Sequence, residues 1–130
     1  MDPSSFREVS SFFQNLGELA DMREELSKYD QIIQFRISGE QPFHIRVCAG
    51  EIFSELGEIT DPDFMQVLSI KTDAETINEL LDKRQTLGEA IFRGKVEIYA
   101  FLVKGYVVAW LSKLFQKVGK LTDKPHTEIN

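Results

Sequence analysis

The spacing of apolar and polar residues changes period several times along the chain, and each change predicts an element. Phe6, Val9, Phe13, Leu16 and Ala20 recur at helical intervals, and Met22 and Leu26 continue the pattern with charged residues between them. That is an amphipathic helix with one face toward a core. Asp2-Pro3-Ser4-Ser5 gives it a polar opening, with Glu8 three residues after Ser5 at capping-box spacing. Gly17 is placed to bend or divide the helix, because an interior glycine costs roughly 1 kcal/mol relative to alanine. Its end is expected near Tyr29-Asp30.

The period then falls to two. Ile33, Phe35 and Ile37 alternate with Gln34, Arg36 and Ser38, and Phe43, Ile45 and Val47 alternate with His44, Arg46 and Cys48. The Gly-bearing turn between them predicts an antiparallel hairpin. Ala49-Gly50-Glu51 is a second turn, followed by a weaker strand over 52–59, and Thr60-Asp61-Pro62-Asp63 interrupts the chain. A fourth strand over 64–71 carries Phe64, Leu68 and Ile70 on one face, which Gln66 shares. Thr72-Asp73-Ala74-Glu75 opens a helix containing Ile77, Leu80 and Leu81, and Leu87–Phe92 forms a further helical turn. A fifth strand follows from Lys95, with Val96, Ile98 and Ala100 on one face and Lys95, Glu97 and Tyr99 on the other.

The last element is predicted over about 102–118. Val103, Val107, Val108, Trp110, Leu111, Leu114, Phe115 and Val118 spread over about 160° of its circumference, where a surface helix needs roughly 100°. Such a helix is either sandwiched within the protein or meets something other than its own chain. The order of elements, the short turns and one polar face per strand predict an α+β fold: a largely antiparallel sheet, wet on one side and covered by helices on the other. No linker or repeat divides the chain, so residues 1–121 read as one domain and 122–130 as a loose polar tail.

Composition narrows the function. Ten Phe in 130 residues must be buried together or line a cavity. A formal charge of −6 opposes nucleic-acid binding, which needs a basic face. Cys48 is the sole cysteine, which excludes an internal disulfide and fits a reducing, cytoplasmic compartment. The first residues lack the basic and apolar regions of a secretory signal. Lys104 and Lys113 interrupt the apolar stretch over 98–115, too short to cross a bilayer.

Candidate chemistry is sparse. His44 reads as a solvated surface residue, and Cys48 on the same strand face lies about 13 Å away, beyond hydrogen-bond reach. His126 falls in the tail. No spacing of His, Cys and carboxylates matches a metal site, and none implies a cofactor. The segment Gly88–Lys95 lacks the ending and the strand-loop-helix order of a phosphate loop, and reads as a turn. Lys104, Lys113, Lys117 and Lys120 cluster in and after the last helix without an acid among them. They either complement the helix dipole or meet an anionic membrane surface.

The helix at 75–81, then Ala90-Ile91-Phe92-Arg93-Gly94-Lys95-Val96-Glu97-Ile98, then the apolar helix at 107–115, resembles the sterol-carrier-protein-2 family. The likeness covers about 25–118, and order and spacing carry it. Ala100-Phe101 stands where that family often has a glycine, and the chain lacks the family's peroxisomal ending. The resemblance implies a five-stranded, mainly antiparallel sheet with an apolar tunnel between sheet and helices. It implies binding of sterols, fatty acyl chains or other lipids.

Strand and helix faces nominate the lining: Phe35, Phe64, Leu68 and Ile98 from the sheet, and Val107, Trp110, Leu111, Leu114 and Phe115 from the last helix. The expected function is noncatalytic lipid binding or transfer. The alternative is an interaction module that pairs through this helix with a second copy or with a lipid- or quinone-modifying enzyme. An enzyme acting on bound lipid ranks third, for want of a catalytic pair.

Overall fold

In the computed structural model, which describes residues 4–59, 67–100 and 105–116, the alternating segments gather around one strand. Gln31–Ile37 (β1) pairs antiparallel with Phe43–Cys48 (β2), which pairs antiparallel with Glu51–Leu56 (β3). On its other side β1 meets Val67–Thr72 (β4) in parallel, and β4 pairs antiparallel with Glu97–Ala100 (β5). The sheet order is therefore β3-β2-β1-β4-β5. The parallel pair is the exception to the predicted antiparallel pattern. Two hairpins join β1 to β2 and β2 to β3, so β3 runs in the direction of β1, and β4 takes that same direction on the other side of β1.

Between β2 and β3, Ala49 and Gly50 both take positive φ, 51° and 83°. This suits the twist of a two-residue hairpin, and Gly50 is required besides because a Cβ there would meet Ser27 Oγ at 2.8 Å.

The helices are Ser4–Gly17 (α1), Arg23–Leu26 (α2) preceded by a 3-10 turn at Ala20–Met22, Ala74–Leu81 (α3) and Leu87–Phe92 (α4). Residues 105–116 form the last helix, α5. The first helix is thus divided at Gly17, and helical geometry ends at Leu26 rather than near Tyr29. The expected Ser5–Glu8 capping box is not formed. Ser5 instead donates from its backbone N–H and its Oγ to the Glu40 carboxylate, at 3.2 and 3.0 Å. A carboxylate from the β1–β2 turn thereby satisfies a donor in the first turn of α1 and complements its dipole.

Both α3 and α4 are capped, α3 within the predicted 72–75 segment. Asp73 accepts from the Thr76 N–H at 2.8 Å, and hydrogen bonds from Thr76 hold its carboxyl below the usual range, aided by nearby Lys95. Thr86 and Glu89 exchange the reciprocal bonds of a capping box at the start of α4.

Strand register defines two faces. The inner face carries the row Phe43–Phe35–Ile70–Ile98 and beside it Ile45–Ile33–Leu68–Ala100. Val9, Phe13 and Leu16 of α1 and Ile77 and Leu80 of α3 share one apolar core with these rows. Burying each large side chain contributes about 1.5–3 kcal/mol.

The outer face is less wet than the alternation predicts. Gln34 is 2% exposed and His44 5%, although each occupies a polar position of the pattern. The link after β3 explains both, because residues 57–59 fold back across this face. His44 Nδ1 bonds the Gly57 carbonyl at 2.9 Å, and Gln34 Oε1 accepts from the Ile59 N–H at 2.9 Å. The Arg36 guanidinium meets the Glu58 carboxylate at 2.6 Å between them. The expectation that His44 is solvated is corrected accordingly.

Candidate functional site

α5 has the spacing that makes a helix bury one face. Val107, Trp110, Leu111, Leu114 and Phe115 stand at i, i+3, i+4, i+7 and i+8, and all five are buried, none more than 4% exposed. Val108 beside them is half-buried, while Val103 and Val118 lie outside the described residues. The apolar surplus expected of this helix is therefore taken up within the chain at these five positions. Sandwiching, the first of the two readings of the wide arc, accounts for them.

Aromatic contacts hold α5 at both ends. The Phe115 ring stacks on Phe12 of α1, with centroids 5.1 Å apart, and meets Phe13 edge-on at 6.2 Å. Near the other end Trp110 donates its indole N–H to the Glu25 carbonyl at 2.9 Å, and Tyr29 packs edge-on against it at 5.3 Å. Tyr106 reaches the same Tyr29 ring. Two lysines add polar latches: Lys113 lies 3.4 Å from the Glu25 carboxylate, and Lys83 donates to the Phe115 carbonyl. Of the four lysines suggested for a membrane surface, Lys113 is thus paired within the fold, while Lys104, Lys117 and Lys120 lie outside the described residues.

The nominated lining residues converge. Phe35, Leu68, Val107, Trp110, Leu111, Leu114 and Phe115 belong to one buried cluster, and Ile98 packs against it half-exposed. Phe64 lies outside the described residues. A tunnel is not seen among the described residues. Two clefts lined by described residues are polar: one of about 480 Å³ where α1 and α2 meet the β2–β3 turn, and one of about 310 Å³ on the outer face beside Gln34, Ser69 and Tyr99.

Phe12, Tyr29 and the Glu25 carbonyl, which complete the seat of α5, were not nominated from the sequence. Val9, Phe12, Phe13 and Leu16 share one helical stripe, a spacing that could have flagged Phe12. Nothing local marks Tyr29 or Glu25.

Among the described residues, no group of three His, Cys, Asp or Glu side chains gathers as a metal site, and no helix is long and apolar enough to cross a membrane. Cys48 is exposed.

The five-stranded mixed sheet with helices is the sterol-carrier-protein-2 fold. The chain superposes on a UbiJ-SCP2 ubiquinone synthesis protein with a TM-score of 0.67 at 15% identity, covering 89% of this chain and 96% of that one. It superposes on the sterol carrier protein domain 2 of Helicoverpa armigera with a TM-score of 0.64 at 18% identity, covering 92% and 94%. Palmitated SCP2L2 from Aedes aegypti gives 0.60 at 15% identity, covering 88% and 95%. Compared by sequence, the chain matches no protein-family model and no curated protein.

Proposed function

We propose that this chain is a noncatalytic lipid carrier, formed by residues 1–121, that takes a sterol, fatty acyl or isoprenoid chain between the inner face of the sheet and α5. The observation that carries this reading is the likeness in fold, over most of both chains, to sterol carrier protein 2 and to a protein whose structure is described as palmitated. Phe35, Leu68 and Ile98 form the floor, and Val107, Trp110, Leu111, Leu114 and Phe115 the roof. Those roof residues now rest on their own chain, so a ligand enters by parting α5 from Phe12, Phe13 and the sheet, and the helix acts as a lid. Each methylene of an acyl chain that replaces such a contact contributes about 0.8 kcal/mol. Phe64 as a further lining residue and a cytoplasmic setting belong to the same proposal.

Native mass spectrometry of the gently purified protein tests it. The expected result is a bound lipid, or uptake of added palmitate with a change in Trp110 emission. A protein that stays free of lipid and is indifferent to fatty acids overturns it.

A second reading is favoured by the likeness to a ubiquinone synthesis protein. Here the chain is an accessory subunit, docking through α5 on a lipid- or quinone-modifying enzyme or on a second copy of itself. Sedimentation separates the two readings. A stable oligomer with Trp110 shielded at its interface supports pairing, and a monomer with ligand-sensitive Trp110 supports the carrier.

A further inference from the structure

We infer that the corner at the end of α4, formed by Phe92, Arg93 and Lys95, is a membrane-contact wedge that seats the protein on an anionic lipid bilayer. This rests on the carrier reading for its purpose but not for its evidence. Phe92 is 92% exposed, whereas the other large exposed hydrophobic side chains lie between 43% and 54%. Isolated apolar residues on a surface are ordinary. Here the ring stands almost wholly in water on backbone tied by hydrogen bonds.

The backbone there is fully tied. The N–H groups of Arg93, Gly94, Lys95 and Val96 donate to the carbonyls of Glu89, Ile91, Ala90 and Ala90 at 3.0, 3.0, 2.8 and 3.3 Å. Leu87 and Ala90 anchor α4 in the core, and Thr72 Oγ1 donates to the Lys95 carbonyl at 2.7 Å. Gly94 takes φ of 77°, and a Cβ built on it meets nothing within 4 Å. The corner is therefore both rigid and protruding.

Its charge selects the surface it meets. Arg93 and Lys95 follow Phe92 closely in the chain and are exposed, and no ion pair of Arg93 is seen among the described residues. The neighbouring carboxylates are engaged: Asp73 caps α3, Glu89 closes its capping box, and Glu97 receives the Tyr99 hydroxyl. An aromatic tip followed by two exposed cations suits the headgroup region of an anionic leaflet, where the ring enters the acyl boundary and the cations stay among phosphates. A protein partner is the poorer fit, because a stable interface buries about 800 Å² per side and a lone ring on a projecting corner offers no such patch.

Co-sedimentation of the full chain with phosphatidylcholine vesicles, with and without phosphatidylglycerol, tests the assignment. The expected result is binding that strengthens with phosphatidylglycerol and weakens about tenfold in Phe92→Ala. Arg93→Glu with Lys95→Glu should lose the phosphatidylglycerol dependence, at roughly fivefold per cation. None of these side chains supports the core, so circular dichroism should be unchanged. Absence of wild-type binding, or binding indifferent to Phe92→Ala, overturns the wedge. So does self-association that Phe92→Ala abolishes while vesicle binding persists. Palmitate uptake by the same variants keeps the two readings apart: vesicle binding without uptake leaves the wedge and removes the carrier, and uptake without vesicle binding does the reverse.

Discussion

The two faces of the sheet are held by different physics, although the same strands build both. The inner face is a field of apolar rows under helices, with Phe35 stacked on Phe43 at 4.9 Å and α1, α3 and α5 sharing the cluster. Its attraction is non-directional, so any side chain of suitable size and polarity fits. The outer face is held by directed bonds to one short piece of chain: His44 to Gly57, Arg36 to Glu58, Gln34 to Ile59. Each of those bonds depends on the exact neighbour. The inner face therefore supplies most of the stability, while the outer face fixes where the crossover between β3 and β4 lies.

Three consecutive residues of β1 probe that contrast. Phe35→Ala empties a fully buried ring from the inner face and should destabilise by about 3–5 kcal/mol in urea unfolding. A loss below 1.5 kcal/mol would mean that the inner face is already loosely filled, as a site awaiting a ligand would be. Gln34→Ala on the opposite face removes the acceptor for the Ile59 N–H and the donor to the Phe43 carbonyl, 3.1 Å away. Its expected cost is about 1–3 kcal/mol. Hydrogen exchange should localise the effect to residues 57–59. If exchange there is unaltered and β1 and β2 loosen instead, the crossover is held by something other than this bond.

The difference between the faces also decides what could be read from the sequence. Period-two alternation placed Phe35, Phe43, Ile45, Leu68 and Ile70 on the inner face, because burial there depends only on a residue's own strand. The same alternation placed Gln34 and His44 in water. Their burial comes from backbone groups of residues 57–59, more than ten positions away, and no periodicity encodes such a partner. The start of α1 follows the same rule: local spacing suggested Glu8 as partner to Ser5, and Glu40 from the hairpin turn takes that place. The stripe of α5 was legible, but its seat on Phe12, Phe13, Tyr29 and Glu25 was not, since an apolar arc says how much is buried and not against what. The Asp73 cap was legible because cap and helix are contiguous, whereas the Thr86 box, equally local, was not nominated.

The smallest effect belongs to the third residue. Arg36 and Glu58 form a two-pronged pair, at 2.6 and 3.3 Å, with both side chains more than one third exposed. Water screens such a pair and the ordering of two long side chains opposes it, so Arg36→Ala should cost only about 0.2–1 kcal/mol. A double-mutant cycle with Glu58→Ala isolates the coupling, which should shrink as salt is raised. This is the sharpest division of the outer face, because Arg36 and Gln34 grip adjacent residues of one segment. A large, salt-insensitive coupling would show that burial behind the crossover extends to Arg36, and the outer face would then count as a second small core rather than a surface bearing a polar clasp.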